Sequence, residues 1–301
     1  MERELVPGLK VLITGASGLV GSRLLESAAR AGHETIAICN QHEAKSPNVH
    51  RLDLRNQDEL RRVLRHVSPD VVVHSAAATD VDLCEREPRM AFLINASSTQ
   101  VLAEECANTD CHLVYISTDY VFDGQRGNYR ETDQTSPVNA YGKSKLAGEE
   151  AVQAASNSFC VARTSVVYGW GREFRPNFAS WVYKQLRAGR PVRVVKDQYA
   201  SPTLDSQLAK MLLEVAEKRL YGIIHLAGAA RLSRYEFAQE MARMFRLPLE
   251  LAIPINADSS SWVARRPRDS SLNVEKATKL LTNKPAALKE SLTELAEQTE
   301  N

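Results

Sequence analysis

Tyr141 and Lys145 stand four residues apart in Tyr141-Gly142-Lys143-Ser144-Lys145, so on a helix they share one face. A phenol is too weak an acid to exchange protons near pH 7 unless its phenolate is stabilised. A lysine ammonium within a few Å does that, and its other protons can hold a ribose. Ser117-Thr118 ends a strand-like run about 24 residues upstream, and the Thr118 hydroxyl can bond the same substrate oxygen. Hydroxyl, tyrosine and lysine together suit hydride transfer to a carbonyl, given a bound hydride donor. The Tyr-x-x-x-Lys spacing taken alone describes an exposed helical pair equally well.

The donor's place is written near the N-terminus. Gly15-Ala16-Ser17-Gly18-Leu19-Val20-Gly21 follows an apolar run and opens a helical one. The first glycine permits a tight turn, the second lets backbone approach a pyrophosphate, and the third lets helix and strand pack closely. Free amides at the helix start then face the anion. The second strand ends in Cys39-Asn40-Gln41-His42. An acid there would hold the adenosine ribose diol and repel a 2′-phosphate. Asn40 does neither, and His42 and Lys45 follow closely, which favours NADPH, with NADH as the alternative. Asp53 and Leu54 could bracket the adenine; a helix cap before Asn56 explains Asp53 as well.

These residues need a scaffold. Strands are expected at Lys10–Thr14, Glu34–Cys39, Asp70–His74, Cys111–Ser117 and Phe159–Thr164, alternating with helices at Gly18–Ala31, Gln57–His66, Pro88–Ala107 and Lys143–Ala155. Such alternation means parallel strands with helical crossovers: an α/β, doubly wound parallel sheet of the Rossmann type. Further on, Arg172–Asn177 reads as a loop, Phe178–Ala188 as a helix, Pro191–Val195 as a strand, Leu204–Lys218 as a helix and Gly222–Ala227 as a strand. Arg234–Arg246 reads as an amphipathic helix, and a last helix starts at Val274. Residues 1–165 and roughly 192–230 are expected to form the NADP-binding unit, and roughly 166–191 and 231–301 a smaller, largely C-terminal substrate-binding lobe over the strand ends.

Composition narrows the classes. Lys plus Arg is 38 against 37 for Asp plus Glu, so no basic field exists for nucleic acid. Apolar residues are 44% and charged ones 25%, which excludes a disordered chain. No apolar run is long enough to span a bilayer, and Met1 to Pro7 has no signal-peptide core. Five scattered cysteines fit a reducing cytoplasm rather than a disulfide framework. No carboxylate–histidine cluster points to a metal. His74 and His225 read as core histidines, Glu85 and Glu87 as a helix start, and Glu149 and Glu150 as solvated.

The sequence resembles the extended short-chain dehydrogenase/reductases, and within them the dTDP-4-dehydrorhamnose reductase family. The likeness rests on GASGLVG (15–21), AAATDVDLCEREP (76–88), STDYVFDG (117–124), SPVNAYGKSKLAGE (136–149), RTSVVYG (163–169), DQYASPT (197–203) and RPRDSSLN (266–273). It implies Thr118, Tyr141 and Lys145 as catalytic residues. Gly15, Ser17, Gly18, Leu19, Val20, Gly21, Asn40, His42, Asp53, Leu54, Ala76, Ala77 and Ala78 would meet the cofactor. Thr79, Val81, Tyr120, Val166 and Arg266 would join Thr118 at the substrate, and Arg163-Thr164-Ser165 would follow the fifth strand at the nicotinamide end. The family often reads Arg-Thr-Ser-Trp-Val-Tyr where this chain has Val166, so a stacking surface beside the sugar is replaced by a wider pocket.

The implied activity is NADPH-dependent reduction of the C4 ketone of a nucleotide-linked 6-deoxy sugar, towards an L-rhamnose donor. A nucleotide-sugar substrate and no membrane or nucleic-acid partner are expected, and a homodimer is compatible. Two alternatives compete. A sugar-nucleotide dehydratase commonly has Thr-Asp-Glu where this chain has Thr118-Asp119-Tyr120, and an epimerase usually keeps an acid at Asn40. The β subunit of methionine adenosyltransferase, a regulatory protein, shares the YVFDG and YGK features.

Overall fold

A computed structural model describes residues 8–155, 158–170 and 177–298. Its centre is a seven-stranded sheet, every pairing parallel. The strands are β1 (Lys10–Thr14), β2 (Glu34–Cys39), β3 (Asn48–Arg51), β4 (Val71–His74), β5 (His112–Thr118), β6 (Phe159–Thr164) and the edge strand Gly222–His225. The order across the sheet is edge strand, β6, β5, β4, β1, β2, β3. The chain thus builds outwards from β1 through β2 to β3, then resumes at β4 on the other side. That reversal opens a crevice at the carboxyl ends of β1 and β4, where doubly wound sheets bind ligands.

Both faces of the sheet are covered, which is why β4 is buried at every residue. On one face Leu24 and Ala28 of helix Leu19–Arg30 pack with Leu208 and Leu212 of helix Asp205–Glu217. On the other face lie Leu60 and Leu64, Leu102 and Cys106, and Val152, from helices Gln57–Val67, Ser98–Ala107 and Ala140–Ala155. The expected Pro88–Ala107 helix is interrupted: Leu93–Ser97 is a π-helical turn between two α-helical stretches.

A separate apolar cluster, with Tyr168, Val182, Phe237, Met241 and Leu295, forms the core of the smaller lobe. Within the span first assigned to the nucleotide-binding unit, Val192–Val195 pairs instead with Ala252–Ile255 in a small parallel sheet of this lobe. Its alternating apolar pattern suits either sheet, so sequence could not choose. Helix Glu275–Leu280 starts after Val274 as expected but is not the last; Leu288–Glu297 follows and packs into the lobe. Of the expected 172–177 loop, residues 172–176 lie outside the described residues, as do Met1 to Pro7. No described helix is long and apolar enough to cross a membrane.

Candidate active site

The helix Ala140–Ala155 begins three residues before the expected start, and this places Tyr141 in its first turn. Asn139 Oδ1 accepts the Gly142 N–H at 2.8 Å, and Glu85 Oε2 accepts that of Ala140 at 2.8 Å. Glu85, read as the start of another helix, therefore fixes the entrance of this one. The Tyr141 ring meets Tyr120 edge to face, with centroids 5.9 Å apart. Burial raises the Tyr141 pKa, while a hydrogen bond with the Thr118 hydroxyl lowers it and the Asp119 carboxylate pushes it up. The sequence reading gave the lowering to Lys145; the largest lowering influence here is Thr118.

Thr118 ends β5 and is itself held. Its Oγ1 donates to Asp119 Oδ1 at 3.1 Å and accepts the Tyr120 N–H at 3.2 Å. Asp119 is buried, and its Oδ2 accepts from Ser165 at 2.7 Å and Ser270 at 2.5 Å. Desolvation raises its pKa against these bonds.

Lys145 is 2% exposed. Its Nζ donates to the Ile116 carbonyl at 2.7 Å and lies 4.0 Å from the Tyr115 ring centroid. Burial lowers its pKa to about 7, with the Glu149 carboxylate acting upwards. Glu149 is not solvated, as the sequence suggested, but fully buried in an ion pair with Arg163 at 2.7 Å. It lies four residues beyond Lys145 and so on the same inner face, not beyond the Tyr141–Lys145 face as the solvated reading requires. His74 and His225 are core histidines, each with its pKa pushed by burial to about 3.

The glycine loop joins β1 to helix Leu19–Arg30. Gly15 has φ +65°, and a Cβ there would lie 2.7 Å from the backbone of Ala76. A Cβ at Gly21 would lie 2.3 Å from the Gly15 carbonyl oxygen. The turn is thus packed backbone to backbone against Ala76, just after β4, and the helix against the turn. Ala78 is clamped by Asn95, whose Oδ1 accepts the Ala78 N–H at 2.8 Å and whose Nδ2 donates to Ser144 at 2.9 Å. Asn95, carried by the π-helical turn, ties the Ala78 backbone to the Tyr141 helix. A lone asparagine in a helical pattern offered no signal for it.

Ser17, Gly18, Leu19 and Val20 are half-buried along this turn, and no side chain caps the helix at Gly18. Asn40 and His42 are exposed beyond β2. Arg51, which the sequence reading passed over, ties down that loop: Nε donates to the Asn40 carbonyl at 2.9 Å and Nη2 to that of Gln41 at 3.0 Å. The signal was its place at the end of the neighbouring strand. Asn56 caps the next helix through Glu59, so capping does not account for Asp53; its carboxylate pairs with Arg55, which lowers its pKa. Leu54 is buried.

At the other end of the crevice, the Tyr120 hydroxyl accepts from Gln198 Nε2 at 3.2 Å, and Gln198 Oε1 accepts from Arg234 at 3.0 Å. Arg266 pairs with Asp82 at 2.9 Å, in the short helix that Val81 begins just after the exposed Thr79. Val166 is half-buried with φ +37°, costly for a β-branched residue, and its carbonyl accepts the Thr203 N–H at 3.2 Å. Trp170 does not stand in for a tryptophan there; it donates to the Leu295 carbonyl at 2.7 Å, inside the lobe. Among the described residues, no group of three or more His, Cys, Asp or Glu could hold a metal ion.

A doubly wound parallel sheet with a glycine turn at its switch point, and Thr, Tyr and Lys beside it, defines a short-chain dehydrogenase/reductase. The chain belongs to the RmlD substrate binding domain family, whose profile matches residues 9–301. It is 39% identical over 235 residues to dTDP-4-dehydrorhamnose reductase of Mycobacterium tuberculosis, covering 75% of this chain and 72% of that protein. The crystal structure of dTDP-4-dehydrorhamnose reductase from Bacillus anthracis, in complex with NADP, superposes with a TM-score of 0.87 at 29% identity, covering 97% of this chain and 99% of that one. Methionine adenosyltransferase 2 subunit beta of Mus musculus is 31% identical over 277 residues, covering 90% of this chain and 82% of that protein.

Proposed function

We propose that this chain reduces the C4 ketone of dTDP-4-dehydrorhamnose, or a close nucleotide-linked 6-deoxy sugar, with NADPH. The observation that carries this reading is the meeting of Thr118 and Tyr141 at the carboxyl end of β5, with Lys145 one turn along the same helix. The glycine turn fits a dinucleotide: its backbone is too closely packed for side chains, and the uncapped helix start leaves amides for a pyrophosphate. Gly15, Ser17, Gly18, Leu19, Val20 and Gly21 would hold the pyrophosphate, and Ala76, Ala77 and Ala78 the nicotinamide side. Asn40, His42 and Arg51 would face the 2′-phosphate, with Asp53 and Leu54 near the adenine. NADPH, when bound, supplies the hydride.

Tyr141 donates the proton to the substrate's C4 oxygen, and its raised pKa keeps that proton on the phenol until it is needed. Thr118 donates to the same oxygen once its hydroxyl proton turns from Asp119 to the ketone, while the Tyr120 amide keeps its hold on Oγ1. Lys145 binds the cofactor ribose. Tyr120 and Val166 line the sugar site with Thr79 and Val81, and Arg266 stands towards the diphosphate, where guanidinium geometry suits the anion.

The test is NADPH oxidation, followed at its absorbance band, with dTDP-4-dehydrorhamnose and product identification by NMR. Turnover to the 4-hydroxy sugar supports the reading. No oxidation, together with co-purification of a methionine adenosyltransferase catalytic subunit, would replace it with a regulatory role, which the likeness to the beta subunit supports.

A further inference from the structure

Behind Lys145 the fold buries a second layer of charge. Glu149 lies one helical turn further on and is fully buried. Ser117 Oγ donates to its Oε1 at 2.5 Å, and Arg163 grips it with Nε on Oε1 at 2.9 Å and Nη2 on Oε2 at 2.7 Å. Ser117 and Arg163 are register partners on β5 and β6, so one carboxylate pins the helix to two neighbouring strands. The Arg163 guanidinium also stacks 5.1 Å from the Phe122 ring centroid. A buried ion pair is weak evidence for stability, because apolar residues of like volume often serve as well. Its place suggests a different use.

Lys145 needs help to remain cationic where it sits. Its ammonium meets a neutral carbonyl, Ile116, and a ring face, Tyr115. The groups facing it are Tyr141 and Glu149 on its own helix, Tyr115 on β5, His74 on β4 and, behind Glu149, Arg163 on β6. Burial keeps Tyr115, Tyr141 and His74 neutral at neutral pH. Glu149 is the anion of this group.

We propose that Glu149 is a positioning residue for the reaction: its carboxylate, held by Ser117 and Arg163, keeps Lys145 protonated at neutral pH. This rests on the reading of Lys145 as the ligand of the cofactor ribose. Removing the carboxylate makes the ammonium harder to sustain, so Lys145 loses its proton at lower pH.

The experiment measures NADPH affinity by fluorescence across about pH 6 to 9, a window in which a depressed lysine titrates. Wild type, Lys145→Met, Glu149→Gln, Glu149→Asp and the double variant Glu149→Gln/Arg163→Gln are compared. The double variant leaves no lone buried cation, so it guards against a fold lost in Glu149→Gln alone. Wild-type affinity should fall with rising pH, and Lys145→Met should bind weakly without that limb. Glu149→Gln should move the limb to lower pH by about one unit and the double variant by less, because the Arg163 cation goes as well; Glu149→Asp should recover part of the shift. A limb unmoved in both Glu149 variants but absent in Lys145→Met overturns the role of Glu149. Wild-type affinity and limb in Lys145→Met would instead overturn the cofactor reading of Lys145, and this inference with it.

Discussion

Tyr120 and Tyr141 meet edge to face, their ring planes inclined at 72°. The contact holds the Tyr141 ring by its carbon framework and leaves the hydroxyl to Thr118. Tyr141→Phe therefore keeps the packing and removes only the acid. It should lower kcat by about 10²–10⁴-fold. NADPH affinity, measured by fluorescence titration, should stay near that of wild type. A kcat close to wild type would move the proton donor to another group.

The Glu149–Arg163 pair has side chains 0% and 3% exposed. Arg163→Met strands a buried carboxylate and should destabilise the fold by about 3–5 kcal/mol. Urea unfolding measures this. Adding Glu149→Gln to Arg163→Met should restore part of the loss, since the stranded charge is gone. Equal stability of single and double variants would show that the charge pair is not what the fold depends on.

Cofactor choice should follow the loop after β2. Asn40 puts no anion there, and Arg51 braces the loop with a guanidinium. The ratio of kcat/KM for NADPH over NADH should exceed tenfold, about 1.4 kcal/mol. Arg51→Ala should reduce that ratio by raising KM for NADPH alone. A tenfold preference for NADH in the wild type would contradict the reading.

Gly21→Ala places a methyl 2.3 Å from the Gly15 carbonyl oxygen, so the helix must move off the strand. Over-packing of this kind costs about 1–3 kcal/mol. The shift also displaces the amides at the helix start, so a lower melting temperature should come with weaker NADPH binding. Gly32→Ala is the control. It sits at positive φ, +85°, and nothing lies near its Cβ, so it should lose stability through backbone strain without losing cofactor affinity.

The sheet was legible because each central strand is a short apolar run between helices with polar faces. β1, β2 and β6 fall on their expected bounds. That Thr118 and Tyr141 would come together, with Lys145 on the same helix, was legible from residue type and spacing. What stayed hidden were groups defined by partners far away in the chain. Glu149 reads as a surface acid until β6 brings Arg163 against it. Asn95 reads as an ordinary helical residue until the π-helical turn aims it at Ala78 and Ser144. The pairing of Val192–Val195 was hidden because its partner, Ala252–Ile255, contains a proline, Pro254, which weakens a strand pattern.

Asp119 collects hydroxyls from Thr118, from Ser165 after β6 and from Ser270, the last 151 residues away. The two halves of the molecule are therefore not interchangeable parts. A chimaera that takes its nucleotide-binding portion from one relative and its later segments from another would inherit the acceptor from one parent and a donor from the other. Such a swap keeps the site only when the incoming piece supplies a small hydroxyl at position 270. Otherwise a buried carboxylate loses a donor, and the defect falls on its neighbour Thr118, however well each half folds.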